Sequence, residues 1–478
     1  MRKLFPHQIE GVEWLKSVGR GILADEMGLG KSLTTIMASI ETPGALVVCP
    51  ASLKKNWERE IRMTGETEIQ VINSGDILDG SKWTIVNYDI LDRYIEDFRE
   101  DFGTGKRKEL ILDEAHYIKD PAANRSKAAL SIAEEAAKVY ALSGSPVLNR
   151  PIELFSLLRA VKHPLAWRYD EEKKKPVSIT TLKRKFSERY CNGHMRIIYL
   201  RSGRVLRFWD ESGANRIEEL KVLTKRVMLR RTKKEVLDLP EKIVSVVSDT
   251  LSKEWQTRYD DAWDEYLEYI QNNPLKKDQI AGILTAQGLV ELIKLRQVCS
   301  LAKLERIAEE IENAIDQEQK VIVFTSFTET VKTLKAMLAK KKIHTVSLTG
   351  SDNSEARDKA VQDFQEGDAK VFVANIKAGG VGLNLTAASA VMFADFDWSP
   401  AVNQQAEDRA HRIGQTGTVN VYYYVLEGTI EEDMIDALQA KQESIGALTG
   451  GERTNLAFAE LLLRRAGLGT TYAQSAYM

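Results

Sequence analysis

The first part of the chain alternates short apolar runs with helical patterns. Each run ends in a loop, and helical patterns such as residues 55–63 and 124–138 fall between the runs. Buried apolar strands that alternate with helices predict a parallel, doubly wound sheet in an α/β fold. The predicted strands are Gly21–Ala24, Ala45–Cys49, Trp83–Val86, Leu110–Leu112 and Val139–Leu142.

A second region, after residue 315, repeats this alternation and predicts a second α/β sheet. The two regions share no short sequence repeat, so their similarity is one of architecture alone. Beyond residue 450 the pattern predicts one amphipathic helix, Leu456–Ala466, followed by a polar end that frays. The predicted strands of the second sheet are Lys320–Phe324, His344–Leu348, Lys370–Val373, Ala390–Phe393 and Asn420–Leu426.

The residues between the two regions, 151–315, are polar and follow a mainly helical pattern. Within them, residues 215–237 predict a helix with a basic end, and DLPEK at 238–242 predicts an inter-domain linker. Residues 252–314 predict helices that are broken at Asn273–Pro274, because proline cannot continue a helix.

The composition of the 478 residues is that of a soluble globular protein, since 43% are hydrophobic and 28% are charged. A chain of this length predicts two or three domains rather than one core. The formal net charge of −2 excludes a generally basic protein, so any contact with nucleic acid requires a local patch. The longest apolar runs, such as Ala387–Ala394, are too short to cross a bilayer.

Cysteine usage and the N-terminus predict an intracellular protein. Cys49, Cys191 and Cys299 are widely separated and give no disulfide framework. The first residues, MRKLFPHQ, lack the apolar stretch of a signal peptide. We therefore expect a cytoplasmic location in a prokaryote or viral host, and a nuclear one in a eukaryote. Cys191 and His194 share a C-x-x-H spacing without a second half-site, so we interpret them as structural and not as zinc ligands.

The strongest chemical signal is the stretch 21–36, GILADEMGLGKSLTTI. An apolar run leads into a glycine-containing loop and then a helical pattern, which is the order of a phosphate-binding P-loop. Glycines let backbone N–H groups converge on phosphate oxygens. Lys31 can reach the β and γ phosphates, and the Ser32 hydroxyl can bind magnesium. Asp25 stands where the wider G-x-x-x-x-G-K-[ST] pattern has its first glycine, so the loop alone indicates a nucleotide site without proving one.

A second motif, Asp113-Glu114-Ala115-His116, directly follows the apolar run Leu110–Leu112. In an ATP site Asp113 would hold magnesium through water, and Glu114 would orient or deprotonate the attacking water. The alternative is a charged pair on a solvated loop at the end of a strand. The P-loop upstream in the same region favours the ATP site.

These two motifs, DEMGLGKS and DEAHYIKD, resemble those of the SWI/SNF-related family of superfamily-two helicase-like ATPases. The resemblance covers nearly the whole chain, and QAEDRAHRIGQTGTV at 405–419 is its most diagnostic segment. YCNGHMR (190–196) and WDESGANRIEELK (209–221) are similar to the annealing-helicase branch, which remodels forked DNA. The other matching segments are FPHQIEGVEWL (5–15), LVVCPASL (46–53), ALSGSPVLNRP (141–151), MLRRTKKEVLDLPEK (228–242), VFTSF (323–327) and AGGVGLNLTAA (378–388).

The resemblance implies two RecA-like α/β lobes, each built on a doubly wound parallel sheet with a helical insertion. The first would comprise residues 1–237, with its insertion at 151–235. The second would comprise residues 238–478, with its insertion at 252–315 and a C-terminal tail. The resemblance also implies ATP and magnesium as cofactors, double-stranded or forked DNA as the partner, and a monomer that binds no membrane. It identifies no protein partner.

The resemblance further implies the residues of the active site. Arg409 and Arg412, three apart and therefore neighbours on a helix, would reach the γ phosphate. The alternative for these arginines is a surface salt-bridge cluster beside Glu407 and Asp408. Ser32 and Asp113 would hold magnesium, in part through water. The implied catalytic residues are Lys31, Asp113, Glu114, Arg409 and Arg412.

Nucleotide contacts are implied along the whole chain. Gln8 would read the adenine edge through its amide, where the alternative is a glutamine on a surface helix. Ser143 and Ser145 would couple the nucleotide site to DNA. Gly379, Gly380 and Gly382 would let a loop of the second lobe approach the DNA backbone and the nucleotide closely. The implied nucleotide-binding residues are Gln8, Asp25, Gly28, Gly30, Lys31, Ser32, Gly379, Gly380 and Gln405.

We therefore predict a DNA-dependent ATPase that tracks along double-stranded DNA and remodels it by fork regression or strand annealing. Two alternatives are a strand-separating DNA helicase and a catalytically inactive DNA-binding scaffold. Retention of Lys31, Asp113, Glu114 and Arg412 argues against the scaffold. No stretch interleaves aromatic with basic residues, as a platform for separated strands would need. Phe208-Trp209 and the aromatics within 255–269 lie among acidic residues and are predicted to pack helices.

Overall fold

The computed structural model of the chain describes residues 4–144, 151–199, 205–211, 213–272, 286–379, 383–444 and 465. The chain divides into two compact units, Met1–Asp238 and Leu239–Met478. Each unit contains a parallel β-sheet with helices, which confirms the predicted α/β class with two parallel-sheet lobes. Over the described ranges, no helix combines the length and the apolar character that a membrane span requires.

Seven described strands form the all-parallel sheet of the first unit. They are β1 (Arg20–Leu23), β2 (Ala45–Cys49), β3 (Ile69–Val71), β4 (Trp83–Asn87), β5 (Glu109–Leu112), β6 (Lys138–Leu142) and β11 (Met228–Leu229). Their order across the sheet is β11-β1-β6-β5-β2-β4-β3. Every residue of β2, β4 and β5 is buried, which explains why these strands are continuous apolar runs rather than alternating ones. Of these strands, β3 and β11 were not predicted.

The helices of the first unit pack their apolar residues onto this sheet. For example, Trp57 and Ile61, four residues apart on one face of their helix, are fully buried, while the rest of that helix is polar. The helices are α1 (Pro6–Val18), α2 (Lys31–Ser39), α3 (Lys54–Arg62), α4 (Ile95–Gly103), α5 (Asn124–Glu135), α6 (Pro151–Ala160), α7 (Ile179–Tyr190), α8 (Ile217–Thr224) and α9 (Lys233–Val236). Short 3₁₀ turns lie at Ala51–Leu53, Leu91–Tyr94 and Ala115–Ile118.

The insertion predicted as helical also contains two antiparallel strand pairs. They are β7 (Tyr169–Asp170) with β8 (Lys175–Pro176), and β9 (His194–Tyr199) with β10 (Val205–Asp210). The strands β9 and β10 are rich in β-branched and aromatic residues, which favour extended backbone. The helical prediction for this part of the insertion was therefore wrong.

The single helix predicted over 215–237 was also wrong. Only the segments α8 and α9 are helical, and β11 lies between them. The backbone N–H groups of Ile22 and Ala24 donate to Val227 O and Leu229 O (both 2.7 Å), so the segment completes the sheet beside β1. Pairing with an otherwise open sheet edge satisfies these backbone groups, and this tertiary contact overrides the local helical pattern.

Six described strands form the all-parallel sheet of the second unit. They are β12 (Lys242–Asp249), β13 (Lys320–Thr325), β14 (Thr345–Leu348), β15 (Val371–Asn375), β16 (Ala388–Phe393) and β17 (Val419–Leu426), in the order β12-β17-β16-β13-β15-β14. In β13, Ile322 and Phe324 join one apolar cluster while Val321 and Val323 join another, so the sheet has a core on each face. The helices are α10 (Lys253–Asn272), α11 (Ala286–Ala302), α12 (Leu304–Asp316), α13 (Thr328–Lys340), α14 (Ser354–Glu366), α15 (Ile376–Gly379), α16 (Pro400–Glu407) and α17 (Ile430–Ser444).

The segment predicted as a linker, 238–242, is hydrogen-bonded in the second unit. Val419 N donates to Glu241 O (2.9 Å), and Lys242 begins the edge strand β12, which was not predicted. The predicted break at Asn273–Pro274 lies outside the described residues. The predicted helix Leu456–Ala466 also lies outside them, apart from residue 465.

Candidate active site

The P-loop joins the carboxyl end of β1 to the N-terminus of α2, as its sequence predicts. Gly28 and Gly30 have φ values of 89° and 78°, a left-handed conformation that side chains other than glycine rarely adopt. A Cβ atom at Gly30 would also collide with the amide of Gln8. Helix α2 begins at Lys31, and half-buried Ser32 is its second residue. The first backbone N–H groups of α2 have no partner within the helix, so they can donate hydrogen bonds to an anion held by the loop.

Lys31 closes this loop on itself. Its ammonium group donates to the carbonyl oxygens of Asp25 (2.8 Å) and Glu26 (3.3 Å). These are neutral acceptors, and a phosphate group would be a stronger, charged one. Burial and the neighbouring Glu114 raise the pKa of the Asp113 carboxyl, and the Lys31 ammonium acts in the opposite direction. The predicted phosphate-binding cation and the predicted magnesium ligand therefore interact electrostatically.

Gln8 lies against the P-loop rather than on the surface. Its Oε1 accepts from Phe5 N (3.0 Å), its Nε2 donates to Leu29 O (3.3 Å), and the residue is only 3% exposed. The surface alternative for Gln8 is therefore wrong. Reading an adenine base would require the amide to exchange these backbone partners, so that role stays a prediction.

Asp25 has a partner that sequence reasoning did not assign. Its carboxylate accepts from the Arg231 backbone N–H (3.1 Å), from Nε (3.1 Å) and from Nη2 (2.5 Å), and both residues are buried. The guanidinium of Arg231 also donates to His7 O (2.6 Å) and to Glu10 (3.0 Å). Both carboxylate oxygens of Asp25 thus accept from Arg231, which ties the loop to the segment after β11, and the nucleotide contact of Asp25 stays a prediction. The only sequence signal was the position of Arg231 in the matched segment 228–242.

Replacing Arg231 by methionine should destabilise the folded chain by about 3–5 kcal/mol, because it leaves the Asp25 carboxylate buried without its partner. Urea unfolding of the full chain measures this free energy. The matched control is Arg62→Met, which removes an exposed pair with Glu58 (2.8 Å) and should cost less than about 1 kcal/mol. The double variant Asp25→Ala, Arg231→Met should lose less than the sum of the two single variants. Equal losses in Arg231→Met and Arg62→Met would contradict this prediction.

Asp113 and Glu114 lie at the carboxyl end of β5, which is separated from β1 by β6 alone. Parallel strands open their carboxyl ends at the same edge of a sheet, so this pair and the P-loop share one edge. Asp113 Oδ2 accepts from the Trp57 indole N–H (2.7 Å), and Oδ1 accepts from the Glu114 backbone N–H (2.9 Å). Burial, and then the neighbouring Glu114, raise the pKa of Asp113 to about 6, although both hydrogen bonds oppose this rise.

Glu114, the second residue of this pair, has a strained backbone conformation. Its φ of 46° is left-handed, which is uncommon for a residue with a side chain. Nδ1 of His116 lies 3.3 Å from Glu114 Oε2, and Tyr88 donates its hydroxyl to Asp113 O (2.8 Å). Strained backbone conformations are frequent at functional sites, and here the Glu114 carboxylate lies next in sequence to that of buried Asp113.

The donor set fits magnesium bound together with a nucleotide. Ser32 offers a hydroxyl and Asp113 a carboxylate, which are the hard oxygen ligands that magnesium prefers. Throughout the described ranges, no group of three or more His, Cys, Asp or Glu side chains could hold a metal ion. Magnesium usually takes one or two protein oxygens and completes its shell with water and phosphate.

The cysteine and histidine of the C-x-x-H spacing are held by the protein. Cys191 is fully buried, and burial raises the pKa of its thiol to about 12, which disfavours the thiolate that zinc binds. Nδ1 of His194 lies 2.9 Å from Asn192 O. These contacts support our structural interpretation of the two residues.

The two candidate arginines of the second unit donate to the same backbone carbonyl. Arg409 Nη1 (3.5 Å) and Arg412 Nη1 (3.0 Å) both donate to Leu383 O. The prediction that both arginines lie on one helix was wrong, because α16 ends at Glu407 and the chain then continues through tight turns. Their proximity arises instead from this turn and from their shared acceptor.

The carboxylates beside these arginines have contacts with β12 and β17. Glu407 accepts from Lys242 Nζ (2.6 Å) and from the Tyr423 hydroxyl (2.6 Å), and Asp408 lies 3.8 Å from Lys242. Half-buried Gln405 accepts from Arg409 Nε through its carbonyl oxygen (3.2 Å).

Two further predicted segments are described only in part. A Cβ atom on Gly379 would lie 2.9 Å from both Ala374 and Phe324, so that glycine permits close packing at the end of α15. Ser143 is buried at the end of β6, and its hydroxyl has no hydrogen-bond partner in the described part of the chain. Gly380, Gly382 and Ser145 lie outside the described residues.

Comparisons with known proteins match this arrangement of motifs. The SNF2-related domain matches residues 7–304, and the helicase conserved C-terminal domain matches residues 302–414. The DNA annealing helicase and endonuclease ZRANB3 of Bos taurus is 31% identical over 469 residues, which are 95% of this chain and 41% of that protein. The SWI/SNF-related matrix-associated actin-dependent regulator of chromatin subfamily A-like protein 1 homolog of Caenorhabditis elegans is 31% identical over 467 residues, which are 94% of this chain and 62% of that protein.

The chain thus spans only part of the length of these two relatives. Among solved structures, the Sulfolobus solfataricus SWI2/SNF2 ATPase core in complex with dsDNA is 27% identical, with a TM-score of 0.42. That alignment covers 93% of this chain and 92% of the Sulfolobus chain.

Proposed function

Since the chain belongs to the SNF2-related family of helicase-like, ATP-hydrolysing enzymes, we propose that it uses hydrolysis to track along double-stranded DNA and remodel it by fork regression or strand annealing. The observation that carries the hydrolysis step of this proposal is the sheet edge that the P-loop with Lys31 shares with Asp113 and Glu114. The relative from Bos taurus is named a DNA annealing helicase. Membership of this enzyme family also argues against the alternative of a catalytically inactive DNA-binding scaffold.

Each residue of the shared edge has a chemical task in this proposal. Lys31 and the first N–H groups of α2 bind the phosphates, and Ser32 with Asp113 would hold magnesium. Magnesium, when bound there, neutralises negative charge on the phosphoryl oxygens. Glu114 would accept a hydrogen bond from the attacking water and draw off its proton. Arg409 and Arg412 would stabilise the charge that develops on the γ phosphate.

The burial of two aromatic side chains within 255–269 favours tracking over strand separation. Separating strands costs about 1.4 kcal/mol per base-pair step, and a stacking platform would return ~1–3 kcal/mol per base. Tyr259 and Tyr266 are buried in the core of the second unit and offer no such platform. The Trp209 indole donates to Ser187 Oγ (2.7 Å), and the Arg184 guanidinium lies over its ring at 4.8 Å.

We expect the protein to displace the third strand of a triplex and to regress or reanneal a fork, without unwinding a duplex that carries a single-stranded overhang. Tracking on the phosphate backbone strips a third strand from the duplex without opening base pairs. The two assays are run at equal ATPase rate, with Lys31→Ala as the inactive control. Efficient overhang unwinding without triplex displacement would favour the strand-separating helicase instead.

A further inference from the structure

Trp57 joins the helix that follows β2 to the carboxylate at the end of β5. Its side chain is fully buried, and it is turned toward the sheet by the same face of α3 that buries Ile61. The indole N–H donates to Asp113 Oδ2 at 2.7 Å, across 56 positions of sequence. Hydrogen bonds to an ionised acceptor are short and stronger than neutral ones, and this distance lies at the short end of the range.

Asp113 is restrained at three points. Trp57 bonds one carboxylate oxygen, the Glu114 backbone N–H bonds the other (2.9 Å), and the Tyr88 hydroxyl bonds the main-chain carbonyl (2.8 Å). An ionised carboxylate can accept about four hydrogen bonds, so each oxygen keeps one direction for a water or a cation. Of these restraints, only the Trp57 bond comes from a side chain and acts on the carboxylate itself.

We propose that Trp57 is a positioning residue for ATP hydrolysis, whose indole N–H fixes the rotamer of the Asp113 carboxylate and so sets how tightly magnesium–nucleotide binds. The proposal rests on the proposed function in taking Asp113 as the magnesium-holding residue. Groups that hold a metal ligand in orientation are typically worth about 10- to 100-fold in metal affinity or activity. Trp57 itself touches neither nucleotide nor reacting atoms.

A second buried tryptophan in the same unit separates this role from packing. Trp83 lies on β4, is also fully buried, and its indole nitrogen has no hydrogen-bond partner among the described residues. The core of this unit therefore accommodates an indole without a hydrogen bond. Burial alone does not require the bond of Trp57, and Trp83 provides a control with the same side chain and the same burial.

The test compares Trp57→Phe with Trp83→Phe in the full chain. Isothermal titration calorimetry measures the Kd of ADP in EDTA and then in excess magnesium, so the readout does not depend on turnover. We expect Trp57→Phe to weaken binding of magnesium–ADP by about 10-fold or more while leaving the Kd in EDTA within about twofold. Trp83→Phe should leave both values within about twofold. Steady-state kinetics should then show a raised magnesium requirement in Trp57→Phe only.

Different results overturn different statements. If the wild-type chain binds ADP equally well with and without magnesium, Asp113 does not hold the metal. The magnesium-binding role of Asp113 in the proposed function is then wrong. If the wild type prefers magnesium–ADP but Trp57→Phe keeps that preference, the role of Trp57 is wrong. If Trp57→Phe weakens binding equally in EDTA, or matches Trp83→Phe, its effect is one of packing and the role is again wrong.

If melting shows that Trp57→Phe does not fold, 3-benzothienylalanine at position 57 replaces it. This side chain keeps the shape of the indole and replaces only the N–H by sulfur. We expect the same selective loss of magnesium–ADP binding, and wild-type values in both titrations would overturn the proposal.

Discussion

Replacing Lys31 by alanine should abolish the ATP hydrolysis that duplex or forked DNA stimulates, while the chain still folds. Removing a single preorganised donor from an active site costs on the order of 10²–10³ in rate, and Lys31 contributes a full charge. The fold should survive, because Lys31 is half-buried at the start of α2 and its hydrogen bonds to Asp25 O and Glu26 O are to neutral acceptors. Each such bond contributes about 0.5–1.5 kcal/mol, well below the usual margin of about 5–15 kcal/mol.

Phosphate release with and without duplex DNA measures the loss, and the melting temperature reports on the fold. Lys16→Ala is the control, since Lys16 makes an exposed pair with Glu41 (3.4 Å) in the same unit and should turn over normally. Turnover in Lys31→Ala within a few-fold of the control would remove the P-loop from the mechanism.

Replacing Arg412 by alanine should lower turnover by on the order of 10³–10⁵ while leaving nucleotide affinity within a few-fold. An arginine that acts on charge developing at the γ phosphate binds the transition state more strongly than the ground state, so kcat falls and KM does not rise. Arg412 is half-buried and donates to Leu383 O (3.0 Å), a neutral acceptor. Losing a hydrogen bond of this kind costs about 0.5–1.5 kcal/mol of stability, well below the usual margin of about 5–15 kcal/mol.

The control for Arg412 is Arg306→Ala, which removes an exposed ion pair with Glu310 (2.6 Å) from the same unit. A surface pair is worth less than about 1 kcal/mol and has no effect on rate. Saturating duplex DNA and saturating ATP are used for both variants. If Arg412→Ala turns over like Arg306→Ala, the arginine is a surface group and its catalytic assignment fails.

Much of the fold follows from the apolar pattern alone. Ala45–Cys49 is a strand over the predicted range, and the other predicted strands differ from the observed ones by one or two residues at their ends. Most of these strands are buried on both faces, so nearly every position is apolar and the run is easy to recognise, whereas three of the four residues of β14 are half-buried. The edge strands β3, β11 and β12 escaped prediction because they are short or partly exposed, and their patterns carry little signal.

The local geometry of the nucleotide loop could also be predicted. A strand, two glycines with positive φ and a helix that begins at Lys31 are properties of adjacent residues, so their order in sequence is their order in space. The prediction of a helix around Arg409 and Arg412 was wrong, because local spacing could not distinguish between two conformations. A spacing of three residues fits a helix and a tight turn equally well, and the contacts with Leu383 belong to the turn.

The sequence by itself determined the α/β class, the position of the phosphate loop and the acidic pair after β5, because each depends on neighbouring residues. Only the tertiary structure decided that Arg231 holds Asp25 and that Trp57 holds Asp113. These partners lie 206 and 56 positions apart, and the parallel sheet brings them together. A buried charge needs a partner, and the tertiary fold determines which residue supplies it. The spacing of residues along the sequence does not indicate that partner.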